Sequence, residues 1–180
     1  VAWAQESGQD VYTPTTELIA TPPIFTVQPN AAQVVRLGLR RAPDAQHELS
    51  YRLFLQEVPG PPKLGVPGVQ MALRIGLPVF VAPLAPLKTD VQWRVERAAG
   101  ALKINARNNG NAHVQINDFK LSQPGVEQVV AASQGSVYLL PGRSREWLLK
   151  PASPLTGERL QLKAYIDSGE INAEIAIEKK

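Results

Sequence analysis

The stretch GVQMALRIGLPVFVAP, residues 68–83, constrains the fold most. Val69, Met71, Leu73, Ile75, Leu77 and Val79 alternate with Gln70, Ala72, Arg74, Gly76 and Pro78. A period of two is that of a β-strand, whose successive side chains point to opposite faces. Strands usually run about 5–6 residues, so this one is unusually long. It also carries a proline inside it and another after it. The alternation alone allows two readings: a row facing the protein's own core, or a row covered by another molecule.

The rest of the chain follows the same pattern in shorter pieces. Helical periodicity is almost absent, and alternating runs separated by turn chemistry point to an all-β protein. In the first half the expected strands are 1–6, 17–27 (interrupted by Pro22 and Pro23), 33–40, 49–58 and 69–81. QPNAA at 28–32 and APDAQ at 42–46 are turns, and the proline-glycine stretch 59–68 is a loop. APLAPLK at 82–88 reads as a hinge. Beyond it the expected strands are 91–96, 101–108, 113–121, 137–140, 146–149, 159–165 and 171–177. Asn109-Gly110 is a strong turn signal, and 167–170 closes a final hairpin. Seven short strands in about 95 residues suit an immunoglobulin-like sandwich. We therefore expect two domains, 1–83 and 84–180. The first has only five candidate strands and begins inside a strand-like run, so its N-terminal strands are expected to be missing from this chain.

Composition narrows the function. The 180 residues include no cysteine, which excludes disulfides and thiolate chemistry. The net charge is +3 with no Lys/Arg run, so nucleic acid is not an expected partner. No run of 18 apolar residues would cross a membrane. His47 and His113 have no second ligand at metal spacing and read as surface residues. Asp167 and Glu170 read as solvated turn residues. There is no nucleophile elbow, phosphate loop or dinucleotide fingerprint. We expect no enzyme and no cofactor. Trp3, Tyr51 and Phe54 in the first half, and Trp93 and Trp147 in the second, read as core.

Three stretches then converge. ELIATPPIFTVQPNAAQVVRLGL, HELSYRLFLQEVP and VQMALRIGLPVFVAP resemble the periplasmic pilus-assembly chaperones of the chaperone–usher system, PapD-like, and most nearly their alternative or archaic branch. The resemblance runs from Val1 to about Pro83, and the second half follows it more loosely. It implies two immunoglobulin-like β-sandwich domains in a boomerang arrangement. It implies a chaperone located in the periplasm that lends its long strand to pilus or fimbrial subunits lacking one, and hands them to an outer-membrane usher. Val69, Met71, Leu73 and Ile75 become the donor residues. An exposed edge of this kind could also pair with a second copy of the chain.

Two further features are implied by the resemblance. Arg36 and Glu48 fall where the family has members of a buried ionic cluster between domains, with Glu158 a candidate third member. The family also anchors the subunit's terminal carboxylate with two basic residues. The arginine on the first strand is not in this chain, and the aligned lysine position is Pro78, which leaves Arg74 as the candidate anchor. The alternative reading is a structural or adhesive immunoglobulin-like surface protein, or itself a pilus subunit. A subunit would carry an alternating N-terminal extension, and none is visible in these residues.

Overall fold

The computed structural model describes residues 1–60, 71–126 and 128–178. Every regular element in them is a strand: β1 (Ala2–Glu6), β2 (Gln9–Thr13), β3 (Leu18–Thr21), β4 (Arg36–Leu39), β5 (Leu49–Gln56), β6 (Arg74–Val81), β7 (Val91–Ala98), β8 (Ala101–Asn108), β9 (Val114–Ser122), β10 (Val129–Leu139), β11 (Ser144–Leu149), β12 (Arg159–Ile166) and β13 (Gly169–Glu178). The protein is all-β with an immunoglobulin-like fold, as expected.

No strand ladder joins the strands before residue 82 to those after residue 90 among the described residues. In the first half a four-stranded sheet has the order β2-β1-β5-β6, and β3 and β4 pair separately. The hairpin β1–β2 was not expected from the sequence. It turns at Ser7-Gly8, both with positive φ, and Trp3 pairs with Tyr12 across it. Trp3 and Tyr51 are the buried hydrophobic residues here, while Ile24, Val34 and Val58 are exposed. Phe54 is only half-buried.

In the second half the ladder runs β10-β9-β12-β13-β7-β8-β11. β13 closes it: its first part pairs antiparallel with β12, and Ile177 and Glu178 then pair parallel with Val95 and Glu96 of β7. Alternate residues of β8 (Leu102, Ile104, Ala106) and β9 (Val114, Ile116) face the core with Phe119, Leu121, Leu160 and Leu162. Trp93 is buried there, and Trp147 stacks on it with ring centroids 6.0 Å apart. This core buries far more apolar surface than the first half, so the second half has the larger hydrophobic stabilisation.

The segment expected to hinge is tied down. The N–H of Leu84 donates to the carbonyl of Asp44, and that of Ala85 to the carbonyl of Ala45. Asn111 completes the attachment: its side-chain amide donates to the carbonyls of Gln46 and Pro86, and its Oδ1 accepts from the N–H of Lys88.

Candidate functional site

β6 is an edge strand. It pairs with β5 on one flank, Leu55 opposite Ile75, Leu53 opposite Leu77 and Tyr51 opposite Val79, and no described strand pairs with the other flank. Which backbone groups are open follows from one pair of bonds. The Leu73 carbonyl accepts from the N–H of Glu57 at 2.8 Å, and the Leu73 N–H donates to Glu57 Oε2 at 3.1 Å. In an antiparallel ladder successive residues turn their N–H and C=O to opposite flanks. Odd-numbered residues of β6 therefore bond to β5, and Arg74, Gly76 and Phe80 turn theirs to the open flank. Pro78 joins them with a carbonyl but no N–H, which is the place in a sheet where proline is tolerated.

The apolar row is exposed beside that open flank. Met71 is 86% exposed, Leu73 62%, and Ile75 and Leu77 43% each. Ile75 and Leu77 share a face with their ladder partners Leu55 and Leu53. The regular strand starts at Arg74, five residues later than the alternation alone suggests. Val69 lies outside the described residues.

The opposite face of the same sheet is aromatic and cationic. The Arg74 guanidinium lies 4.1 Å from the Phe54 ring centre, and that of Arg52 lies 4.8 Å from Trp3. Arg52 Nε and Nη1 are buried without a hydrogen-bond partner. Gly76 is required here: a Cβ on it would sit 2.9 Å from the Phe54 ring. Trp3 and Phe80 extend this face to Tyr138 of β10, with centroids 5.4 and 5.8 Å away.

The structure separates the two residues expected in the ionic cluster. Arg36 is exposed on β4, opposite Thr21 in the two-stranded sheet. Glu48 precedes β5, and its N–H donates to the carbonyl of Asn111, which directs its side chain toward the second half. There it meets His113. The His113 N–H donates to Glu48 Oε1 at 3.0 Å, and His113 Nδ1 lies 2.8 and 3.0 Å from the two carboxylate oxygens. Asp167 approaches the other ring nitrogen at 3.7 Å. Asp167 is thus a second-half acid that faces this histidine. Glu158 instead precedes β12, where its carbonyl accepts from Ile177. His113 is no surface residue: it is 23% exposed and stacked on Phe80 at 3.5 Å, 8° from parallel. His47, by contrast, is exposed beside Asp44. No group of three or more His, Asp or Glu among the described residues could hold a metal ion.

Comparison with known proteins bears on these features. Residues 1–86 match the family described as pili and flagellar-assembly chaperone, PapD N-terminal domain. No curated protein matches the chain. Among solved structures, it is similar to a chain of the CsuC–CsuE chaperone–tip adhesion subunit pre-assembly complex from archaic chaperone–usher Csu pili of Acinetobacter baumannii. The TM-score is 0.65 at 18% identity, over 99% of this chain and 82% of that one. It is also similar to the YadV chaperone, with a TM-score of 0.54 at 17% identity over 91% and 80% of the two chains.

Proposed function

We propose, from the match of residues 1–86 to the family described as pili and flagellar-assembly chaperone, PapD N-terminal domain, that the chain holds pilus or fimbrial subunits by lending them β6 as a strand. The observation that carries this reading is the coincidence, on one edge, of unpaired backbone groups and an exposed apolar row. A subunit lacking a strand presents an apolar groove and its own unpaired edge. Adding β6 satisfies the backbone, and Val69, Met71, Leu73 and Ile75 fill the groove. Each side chain fully buried there contributes about 1.5–3 kcal/mol, from which the cost of ordering the segment subtracts.

The rest of the proposal follows from this assignment. The strands within 1–83 and 84–180 form two domains set at an angle, and the subunit lies between them. The protein works in the periplasm, passes its cargo to an outer-membrane usher, and performs no catalysis. A free β6 edge also permits pairing with a second copy when no subunit is present. Arg52 joins Arg74 as a candidate for the subunit's carboxylate, since both guanidinium groups lie on the face of β5 and β6 that also carries Pro78.

The test is co-expression with the cognate subunit. Met71→Glu and Leu73→Glu together remove the soluble complex and leave the chaperone folded, because both side chains are exposed already. Ile24→Glu, a charge at an 85% exposed position outside β6, leaves the complex intact. Full recovery of complex with the Met71/Leu73 variant would refute strand lending.

A further inference from the structure

We propose that His113 is a protonation-controlled latch between the two halves of the chain. The inference starts from Glu48, whose side chain is 5% exposed. A carboxylate so withdrawn from water needs a cation or several hydrogen bonds, or its burial is costly. Its hydrogen-bond partners are the N–H and ring Nδ1 of His113, which belongs to the other half of the molecule.

The groups that face the ring make its two protonation states unequal. Glu48 faces it from the segment before β5, Asp167 from the turn between β12 and β13, and the phenol of Tyr138 from β10 with centroids 5.9 Å apart. From β6 it meets the face of Phe80. A neutral imidazole has one N–H. Given to Glu48, it leaves the Nε2 lone pair pointing toward the Asp167 carboxylate at 3.7 Å. An imidazolium directs an N–H to each carboxylate and lays its charge on an aromatic face within cation–π range. Protonation therefore improves three contacts, and two of them (Glu48 and Phe80) cross the junction. Loss of the proton leaves Glu48 buried without a countercharge. The imidazolium form therefore closes the latch, and the neutral form loosens it. This device does not depend on what binds the β6 edge.

Other junction contacts explain why the halves stay attached in either state. Gln5 bonds to Tyr138 and Leu140, Asn111 bonds to Gln46 and Pro86, and the Arg145 guanidinium donates to the carbonyl of Gly8. None of these involves the imidazole. Deprotonation therefore widens the range of relative orientations without separating the halves.

The experiment uses the free chain, which has no native cysteine to interfere with labelling. Spin labels on Ala32→Cys and Lys150→Cys report the distance between the halves at about pH 5.5 and 8.5. The wild-type distribution is narrow at the lower pH and broad at the higher one. With His113→Arg it is narrow at both, with His113→Gln broad at both, and with Glu48→Gln the pH response is lost while His113 is kept. The near-ultraviolet dichroism of the tryptophans verifies the fold of each variant. The His113 ring carbon resonance in wild-type protein verifies titration, so the result does not hang on any one substitution. A ring that keeps one protonation state across this range overturns the proposal. So does a titrating ring with an unchanged distribution, or a His113→Gln variant that retains the wild-type pH response.

Discussion

Pro78 stands directly opposite Arg52 in the β5–β6 ladder, and Arg52 turns its own N–H and C=O away from it, bonding to the carbonyl and nitrogen of Val1 at 2.9 and 3.0 Å. Pro78 thus interrupts no bond within the sheet. What it removes is one donor from the open flank, between Gly76 and Phe80. Edge strands left with a full row of donors pair with other edges, and proline is one of the ways to prevent it. Pro78→Ala restores the donor. We expect that variant to self-associate more strongly than wild type in sedimentation velocity, with dimer increasing with concentration. Equal sedimentation of the two proteins would mean that the edge is guarded by something else.

Tyr51 and Glu17 give a pH signature to the first half. The Tyr51 hydroxyl donates to Glu17 Oε2 at 2.8 Å, and Arg41 donates to Oε1 at 3.0 Å. The bond from Tyr51, and then Arg41, hold the Glu17 carboxyl below its usual value. Burial, and then the same bond, push the Tyr51 hydroxyl up to about 12. Glu17's contribution is present above the ordinary carboxylate range and is lost as pH falls through the lowered value. Tyr51's contribution is present below its ordinary 10.0 and is lost as pH rises through about 12. Tyr51→Phe lowers the melting temperature most at neutral pH, and the gap from wild type shrinks toward both extremes. A gap independent of pH would show that the loss is one of packing alone.

Gln5 is a buried polar bridge with no charge to titrate. Its Nε2 donates to the Tyr138 carbonyl at 2.8 Å and to Asp10 Oδ1 at 3.0 Å, while its Oε1 accepts from the N–H of Leu140 at 3.0 Å. Gln5→Ala strands a carbonyl and an N–H on β10 and the residue after it. Each buried group left unsatisfied costs about 1–3 kcal/mol. Urea unfolding should show a loss of at least about 2 kcal/mol on that basis. Gln5→Glu keeps an acceptor for Leu140 and loses the donor, so it should be intermediate at neutral pH. A Gln5→Ala loss near zero would indicate that water takes over both bonds.

A strand is legible in the sequence where one period governs its whole length. Leu102, Ile104 and Ala106 alternate cleanly with polar neighbours, and β8 lies where they place it. A broken or short period hides a strand. β10 runs from Val129, but its register shifts between Gln134 and Val137, around Gly135 with its positive φ, which hides most of its length. β2 offers only Val11 and Tyr12 as apolar markers. The exposed row on β6 was legible as alternation, yet its exposure was not. Ile75 and Leu77 would show the same period packed inward, and only their exposure in the folded chain decides between the two. The Glu48–His113 contact had no local signal, since the partners are 65 residues apart and meet through the attachment of Asn111 to the turn before β5.

The proposed carboxylate site separates the roles of Arg52 and Arg74. Arg74 rests on Phe54 with its charge open to solvent, so it is free to turn toward a ligand. Arg52 has buried Nε and Nη1 donors without partners, and a guanidinium presents its donors in a fork that matches a carboxylate. A carboxylate reaching Arg52 would relieve that deficit as well as gain an ion pair. Removing Arg52 should therefore weaken subunit capture more than removing Arg74, and Arg52→Lys should not restore it, because an ammonium cannot bind in a bidentate manner. The measurement is the dissociation rate of preformed complex with a subunit ending in a free carboxylate and with one ending in an amide. Arg52→Ala accelerates release of the first and leaves the second unchanged. Equal acceleration for both would assign Arg52 to packing against Trp3, and a larger effect from Arg74→Ala would return the anchor to Arg74.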